Sequence, residues 1–310
     1  MRRLSEHSVA RLLVTGANGH LGRRLINTLA DEHEVEALVR SDAARRSLLL
    51  HVGKQRRLNV SVADPSDAAA VAEVGSRCVR AFHLIGTIKE TRANRYTDAH
   101  ERPAQALVDA APRTALEHIV YVSIVGADGG SSSQCLQARA AVENILMSAK
   151  PVATIIRIPM VLGEKDRASF ALAKRASARR VVLFRASSLE QPIYAGDVVN
   201  ALRYTLKIDA SDHRVFDLAG PESLSRRDLV TRAGVVLNNK PSIYSLPLIV
   251  GMGLAGLFEL IRPEPPLTRN MLQVLDHDDA IDPAPAAAAL GITLTPLNET
   301  LRRCIGDRLP

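Results

Sequence analysis

The run Leu12-Leu13-Val14-Thr15-Gly16-Ala17-Asn18-Gly19-His20-Leu21-Gly22 constrains this chain more than any other stretch. An apolar segment, Arg11 to Thr15, ends in a turn with three glycines. A helical pattern of Leu21, Leu25, Ile26 and Leu29 follows and runs to about Asp31. The order is strand, glycine turn, helix. Glycine permits the sharp turn and leaves the main chain open to a diphosphate. The N–H groups and positive dipole end of the new helix then face that anion. The third glycine lets helix and strand pack closely. The spacing is Gly-x-x-Gly-x-x-Gly rather than the commoner Gly-x-Gly-x-x-Gly. Thr15, Gly16, Asn18, Gly19, His20, Leu21 and Gly22 are thus the first candidate cofactor-binding residues.

Strand–helix alternation continues through the first half. Val35 to Val39 reads as a second strand ending at Arg40, Arg57 to Val62 as a third, Val79 to Ile85 as a fourth closing at Gly86, and Ile119 to Val122 as a fifth. Pro151 to Arg157 reads as a sixth. This alternation predicts an α/β fold, a doubly wound parallel Rossmann-type sheet with helices on both faces. Ligands bind beyond the carboxyl ends of such strands. Those ends carry the glycine turn, Arg40, Asp64, Gly86 and Ser123. The expected organisation is a nucleotide-binding domain over residues 8–160 and a smaller C-terminal substrate or partner lobe over 161–310, partly rejoining the sheet.

The tip of the second strand reaches the adenosine ribose in such a sheet. An acidic residue there accepts from the 2′-hydroxyl of NAD, whereas a basic one pairs with the 2′-phosphate of NADP. Here the tip is Arg40-Ser41, with Arg45 and Arg46 a turn further on, so NADP(H) is preferred and NAD(H) remains an alternative. Asp42 weakens that preference.

With Thr15 before it, the glycine turn resembles the cofactor loop of the short-chain dehydrogenase/reductase superfamily. Val122-Ser123 through Arg157-Ile158-Pro159 to Gly163 resembles its extended and atypical members. The resemblance implies that Asp64 lies beside the adenine ring and Pro159 beside the nicotinamide. Asp64 reads equally as a turn or capping residue before a helix starting near Ser66. It further implies a helix bearing Tyr-x-x-x-Lys, the Tyr acting as acid or base and the Lys lowering its pKa. A spacing of four puts both on one helix face. Counting back from Ala140-Ala141-Val142-Glu143, however, the Lys position falls on Arg139 and the Tyr position on Cys135. The only nearby tyrosine, Tyr121, belongs to a strand. A positioned acid or base contributes ~10²–10⁴ in rate, so its loss predicts slow turnover or none. Cys135 has two readings: a substitute acid whose thiol Arg139 activates, or a small apolar filler of the vacated space. Ser123 likewise either orients a ligand or finishes its strand.

Farther along, Gln191 to Val199 and Val215 to Pro221 also resemble segments of these families, and Asp197 reads as a helix N-cap. Pro266-Leu267-Thr268-Arg269-Asn270, Leu275-Asp276-His277-Asp278 and Leu290-Gly291-Ile292, with Leu84-Ile85-Gly86-Thr87, resemble the subfamily of the nucleotide-binding accessory subunit of respiratory complex I and its bacterial relatives. In that subunit the NADPH is structural and the Tyr–Lys dyad is also missing. The resemblance therefore implies a structural or redox-sensing cofactor. An active NADPH-dependent oxidoreductase or epimerase acting on an unidentified small molecule, and a respiratory-complex accessory or assembly factor at the membrane, are the alternatives.

Composition narrows the partners. Hydrophobic residues make up 46% and charged residues 24%, as in a globular protein. Aromatics are 3% with no Trp, so stacking platforms for single-stranded nucleic acid are not expected. The net charge is +7, and seven basic residues lie between Lys165 and Arg185: these two with Arg167, Lys174, Arg175, Arg179 and Arg180. They face an acidic partner, phosphate or lipid headgroups, or simply solvent. Leu246 to Phe258 is apolar yet too short for a bilayer, which needs ~17–25 residues; it is a buried helix or a docking patch. Three widely spaced cysteines, Cys78, Cys135 and Cys304, predict neither a disulfide framework nor a metal site. The first residues, Met1 to His7, lack the apolar core of a secretory signal. A cytoplasmic location is expected, with peripheral attachment at the inner face of the membrane as a possibility.

Overall fold

A computed structural model describes residues 10–87, 90, 95–261, 265, 268–274 and 277–306. Met1 to His7 and Pro266, Leu267, Leu275 and Asp276 lie outside the described residues. The first half alternates as the sequence predicts: β1 (Arg11–Thr15), α1 (His20–Leu29), β2 (Glu34–Val39), α2 (Asp42–Val52), β3 (Leu58–Val62), α3 (Ala68–Val74), β4 (Arg80–His83), α4 (Arg102–Ala110), β5 (His118–Ile124), α5 (Gln134–Met147) and β6 (Val152–Ile158). Then come β7 (Val161–Leu162), α6 (Arg167–Ala176), β8 (Arg180–Phe184), β9 (Leu189–Glu190), β10 (Ile193–Tyr194), α7 (Ala195–Tyr204), β11 (Arg214–Asp217), β12 (Leu224–Ser225), α8 (Arg226–Val236), β13 (Ser242–Leu246), α9 (Leu248–Ile261), α10 (Arg269–Val274), α11 (Ala284–Ala289) and α12 (Leu297–Ile305).

The main sheet runs β3-β2-β1-β4-β5-β6-β11, and every pairing is parallel. Period-two alternation sends Leu12 and Val14 to one face of β1 and Leu13 to the other. Leu12 and Val14 share a core with Leu25, Ile26 and Leu29 of α1, Leu48 of α2 and Val198, Val199 and Leu202 of α7. Leu13 packs with Val71 of α3, Leu107 of α4 and Val142 and Leu146 of α5. Helices therefore cover both faces. The four-residue spacing of Leu21, Leu25 and Leu29 holds α1 down; full burial of Leu25 or Ile26 is worth about 1.5–3 kcal/mol each.

The seventh strand, β11, arrives from the later half and pairs with β6 in register, Val215 opposite Ile155. Of the other later segments, α7 and α11 pack on the first core, while α6, α8, α12 and β8 build a second one that includes Leu172, Val181, Leu229, Val230 and Leu301. Short ladders tie this lobe together: β7 with β10, β9 with β12, and β8 with β13.

Asp197 is structural, but it does not cap α7. Tyr194 occupies the capping position, and Asp197 sits inside the first turn, buried. Its two carboxylate oxygens accept from the Thr295 N–H (2.7 Å) and hydroxyl (2.8 Å), fastening the distant C-terminal segment. The apolar stretch Leu246 to Phe258 takes in the end of β13 and most of helix α9, whose buried side is Gly251 and Ala255 only. Among the described residues no helix is long and apolar enough to cross a membrane.

Candidate functional site: a cradle at the carboxyl ends of the strands

Because the strands are all parallel, Thr15, Arg40, Asp64, Gly86, Ser123 and Pro159 follow or close their strands at one edge of the sheet. The glycine turn occupies the middle. Gly16 has φ +71°, and a Cβ there would meet the Leu84 carbonyl carbon at 2.6 Å. Only glycine fits both demands. A Cβ on Gly22 would stand 2.5 Å from the Gly16 oxygen, so the first turn of α1 seats directly on the loop. Gly19 precedes α1 and has no side chain to cap it. The N–H groups of His20, Leu21 and Gly22 thus lack intrahelical acceptors and face the cleft. These are the features a diphosphate requires.

Side chains around the turn are fixed. The Thr15 hydroxyl shares a 2.8 Å hydrogen bond with His83 Nδ1. Arg23 Nη2 donates to Asn18 Oδ1 (2.7 Å) and Ser47 Oγ (3.0 Å), joining the loop to α2. Burial holds the Arg23 pKa below its ordinary value. His20 is exposed, yet partial desolvation lowers its pKa first, with Arg23, Arg24 and Arg167 adding to that against Asp166. Leu21 packs on the core beneath the turn. The Ser41 hydroxyl caps α2, accepting from the Ala44 N–H at 3.2 Å. Arg40, Arg45 and Arg46 are exposed, with no carboxylate partner among the described residues. Asp64 is exposed and closes a local turn by accepting from the Ser66 N–H at 2.9 Å; Asp67, not Asp64, caps α3, which starts at Ala68. Pro159 is buried directly after β6.

The positions expected to carry proton chemistry are arranged differently. Cys135 is fully buried, with Sγ 3.8 Å from the Thr87 carbonyl and the side chain packed beside Tyr96. Burial pushes its thiol pKa up, and the opposing pull of Arg139 is smaller. Arg139 Nη1 donates to the Tyr121 hydroxyl (2.9 Å) and the Val122 carbonyl (3.2 Å), and the guanidinium lies 5.9 Å from the Tyr121 ring centroid. Gly86 makes room for it: a Cβ there would collide with the guanidinium. The Ser123 hydroxyl donates to Glu143 Oε1 at 2.5 Å. Glu143 also takes two donors from Arg157, whose Nη2 approaches to 2.6 Å. Ser123 is therefore committed to a buried network pinning α5 to β5 and β6.

Sequence reasoning missed the layer behind the cradle. The rings of His83 and Tyr121 meet at a tilt with centroids 5.6 Å apart, and Tyr96 lies 5.7 Å from His100. His83 and His100 are buried, which drives each pKa down to about 3, and Arg139 adds to the effect. His83 Nε2 and Arg139 Nε are buried and without a hydrogen-bond partner. The parallel register setting Thr15 opposite His83, and His83 opposite Tyr121, is the signal that aligns this row. A polar pocket of about 670 Å³ at the opposite ends of β1–β3 is a separate feature. Arg11 there pairs with Glu34, Arg57 donates to the Asp31 carbonyl, and Glu36 accepts from Asn59 and Ser61.

A family model described as NAD(P)H-binding matches residues 16–192, more than half of the chain and all of the cradle from Gly16 onward. The chain belongs to this NAD(P)H-binding family. The mouse NADH dehydrogenase [ubiquinone] 1 alpha subcomplex subunit 9 is 28% identical over 298 residues, covering 94% of this chain and 79% of that one. Among solved structures, the Bordetella bronchiseptica enzyme WbmH in complex with NAD+ superposes with a TM-score of 0.72 at 15% identity, covering 96% and 97%. An NADPH-dependent quinone oxidoreductase of Escherichia coli bound to NADPH gives 0.71 at 17%, covering 94% and 98%. At those identities the structures speak for the fold. This NAD(P)H-binding chain is thus a Rossmann-type, short-chain-dehydrogenase-like protein similar to complex I accessory subunits. Its glycine turn, open helix terminus and unpaired arginines fit a pyridine dinucleotide.

Proposed function

We propose that the protein binds NADP(H) in preference to NAD(H) and keeps it as a structural or redox-reporting group with little or no turnover. When bound, the nicotinamide supplies two-electron redox chemistry. The glycine turn and the α1 terminus hold the diphosphate. Arg40, Arg45 and Arg46 supply positive charge for a 2′-phosphate, and Asp64 and Ser41 border the adenosine end. Gly86 and Pro159 line the nicotinamide end.

The observation that carries the reading is the pair at the dyad positions. Cys135 is buried with a raised pKa, and Arg139 is spent on Tyr121 and Val122. Tyr121 is itself fully buried, with a pKa raised by burial despite Arg139. No tyrosine in the chain has a lysine four residues on. The name of the mouse relative, a mitochondrial NADH dehydrogenase subunit, supports a respiratory-complex partner; a cytoplasmic location with peripheral attachment at the inner face of the membrane completes the proposal.

The test combines retention and turnover. Protein purified without added nucleotide should carry NADP(H) through dialysis, detected by mass spectrometry. It should not sustain NADPH oxidation with carbonyl compounds or quinones, and Cys135→Ser should leave that rate unchanged. Steady multiple turnover, lost in Cys135→Ser, would replace this reading with that of a thiol-dependent oxidoreductase.

A further inference from the structure

Helix α9 is apolar on its outside. Ile249 is 79% exposed, Leu254 42% and Leu257 52%, at spacings that share one side of a helix. Its inner side is small: a Cβ on Gly251 would touch the Phe184 ring at 2.9 Å. That contact joins α9 to the β8–β13 ladder. In this ladder Phe184 pairs with Leu246, and two residues earlier Val182 pairs with Tyr244. Val182 and Tyr244 are each more than half exposed. One apolar surface therefore runs from the strand pair onto the helix. The single charge in α9, Glu259, is neutralised by Arg269 at 2.8 Å.

The rim is basic. Arg180 projects from the same side of β8 as Val182, by alternation, and Arg179 precedes it. Lys174, Arg175, Arg179 and Arg180 are exposed with no carboxylate partner among the described residues. Between Lys165 and Arg185 the only acidic residue against seven basic ones is Asp166, which caps α6.

We propose that this surface docks on an anionic phospholipid bilayer, with α9 lying in the plane of the interface. Fourteen residues of helix reach about 21 Å, short of the ~30 Å hydrocarbon core, so the helix lies along the surface rather than crossing. An apolar helix flanked by lysines and arginines of α6 and β8 combines apolar burial with attraction to anionic headgroups, and Tyr244 suits the headgroup level. A second copy of the chain would bring its own basic rim against this one. The inference deepens the peripheral location proposed above and rests on it. Its test does not involve the nucleotide site, so the two readings fail separately.

Flotation of the full chain with phosphatidylcholine–phosphatidylglycerol vesicles, against phosphatidylcholine alone, tests it. The protein should float with the anionic vesicles, and several-fold less with neutral ones or at high salt. A Leu254→Asp, Leu257→Asp double variant should lose roughly tenfold or more of the bound fraction. Arg179→Glu with Arg180→Glu should abolish only the preference for anionic lipid. An unchanged circular dichroism spectrum and thermal midpoint in both variants establish that they fold. Equal flotation of the leucine variant overturns the proposal, as does no flotation of the parent chain. Self-association by sedimentation that the leucine variant abolishes, or capture of an acidic protein without lipid binding, would assign the face to that partner instead.

Discussion

At the scale of single residues, the cradle depends on atoms that are missing. The Cβ that Gly22→Ala adds would press on the Gly16 carbonyl oxygen at 2.5 Å, in backbone that has little room to yield. Overpacking of this kind costs about 1–3 kcal/mol, so Gly22→Ala should lower the thermal midpoint and weaken nucleotide binding together. Gly129→Ala, with open space around its Cα, is the control and should change neither. The buried histidines set a second expectation. His83, His100 and His118 each have a pKa near 3, lowered chiefly by burial. In the unfolded chain a histidine titrates near ~6.5. Between those values the unfolded state binds protons that the folded state refuses, so stability is whole above ~6.5 and falls as the pH drops toward 3. Each histidine contributes about 1.4 kcal/mol per pH unit inside that window. Chemical denaturation at stepped pH should show the loss, and His118→Gln should reduce its slope if Thr154 keeps its partner.

At the scale of elements, α5 is held by charge as well as by its apolar side. The Glu143 side chain is only 7% exposed and serves Ser123 and Arg157 together. Removing one member of a buried pair leaves the other uncompensated, which costs about 3–5 kcal/mol. Glu143→Ala should approach that loss in urea denaturation, moderated by Asp217, which lies 3.7 Å from Arg157. Glu34→Ala, breaking the more exposed pair with Arg11, should cost about 1 kcal/mol or less. These elements also mark what a sequence can convey. Strands β1, β2 and β5 were legible because an apolar run ends at a turn residue, a purely local signal. Ser123 was legible as a strand-end hydroxyl, but its acceptor lies twenty residues away on α5. Asp197 had the spacing of a cap, yet its partner is Thr295. Tyr121 read as one more strand residue, because only the parallel register brings Arg139 and His83 to it. Side chains whose partners come from other elements carry no local pattern.

At the scale of the whole molecule, parallel strands put the ends of both halves of the chain to use. The first half supplies the cradle. The later half closes the sheet with β11 and reaches back to α1, where Arg24 meets Glu164 at 2.8 Å. A dinucleotide that binds only the folded state should stabilise this assembly by mass action, about 2.7 kcal/mol at a hundredfold excess over Kd. The carboxyl ends of the strands, not the charged pocket at their amino ends, are where it should bind. Calorimetric titration of the nucleotide-free protein with NADPH and with NADH tests this account most directly. NADPH should bind one per chain and more tightly than NADH, and Arg40→Glu should narrow or reverse the difference. If neither nucleotide binds the correctly folded chain, the cradle is not a pyridine-nucleotide site.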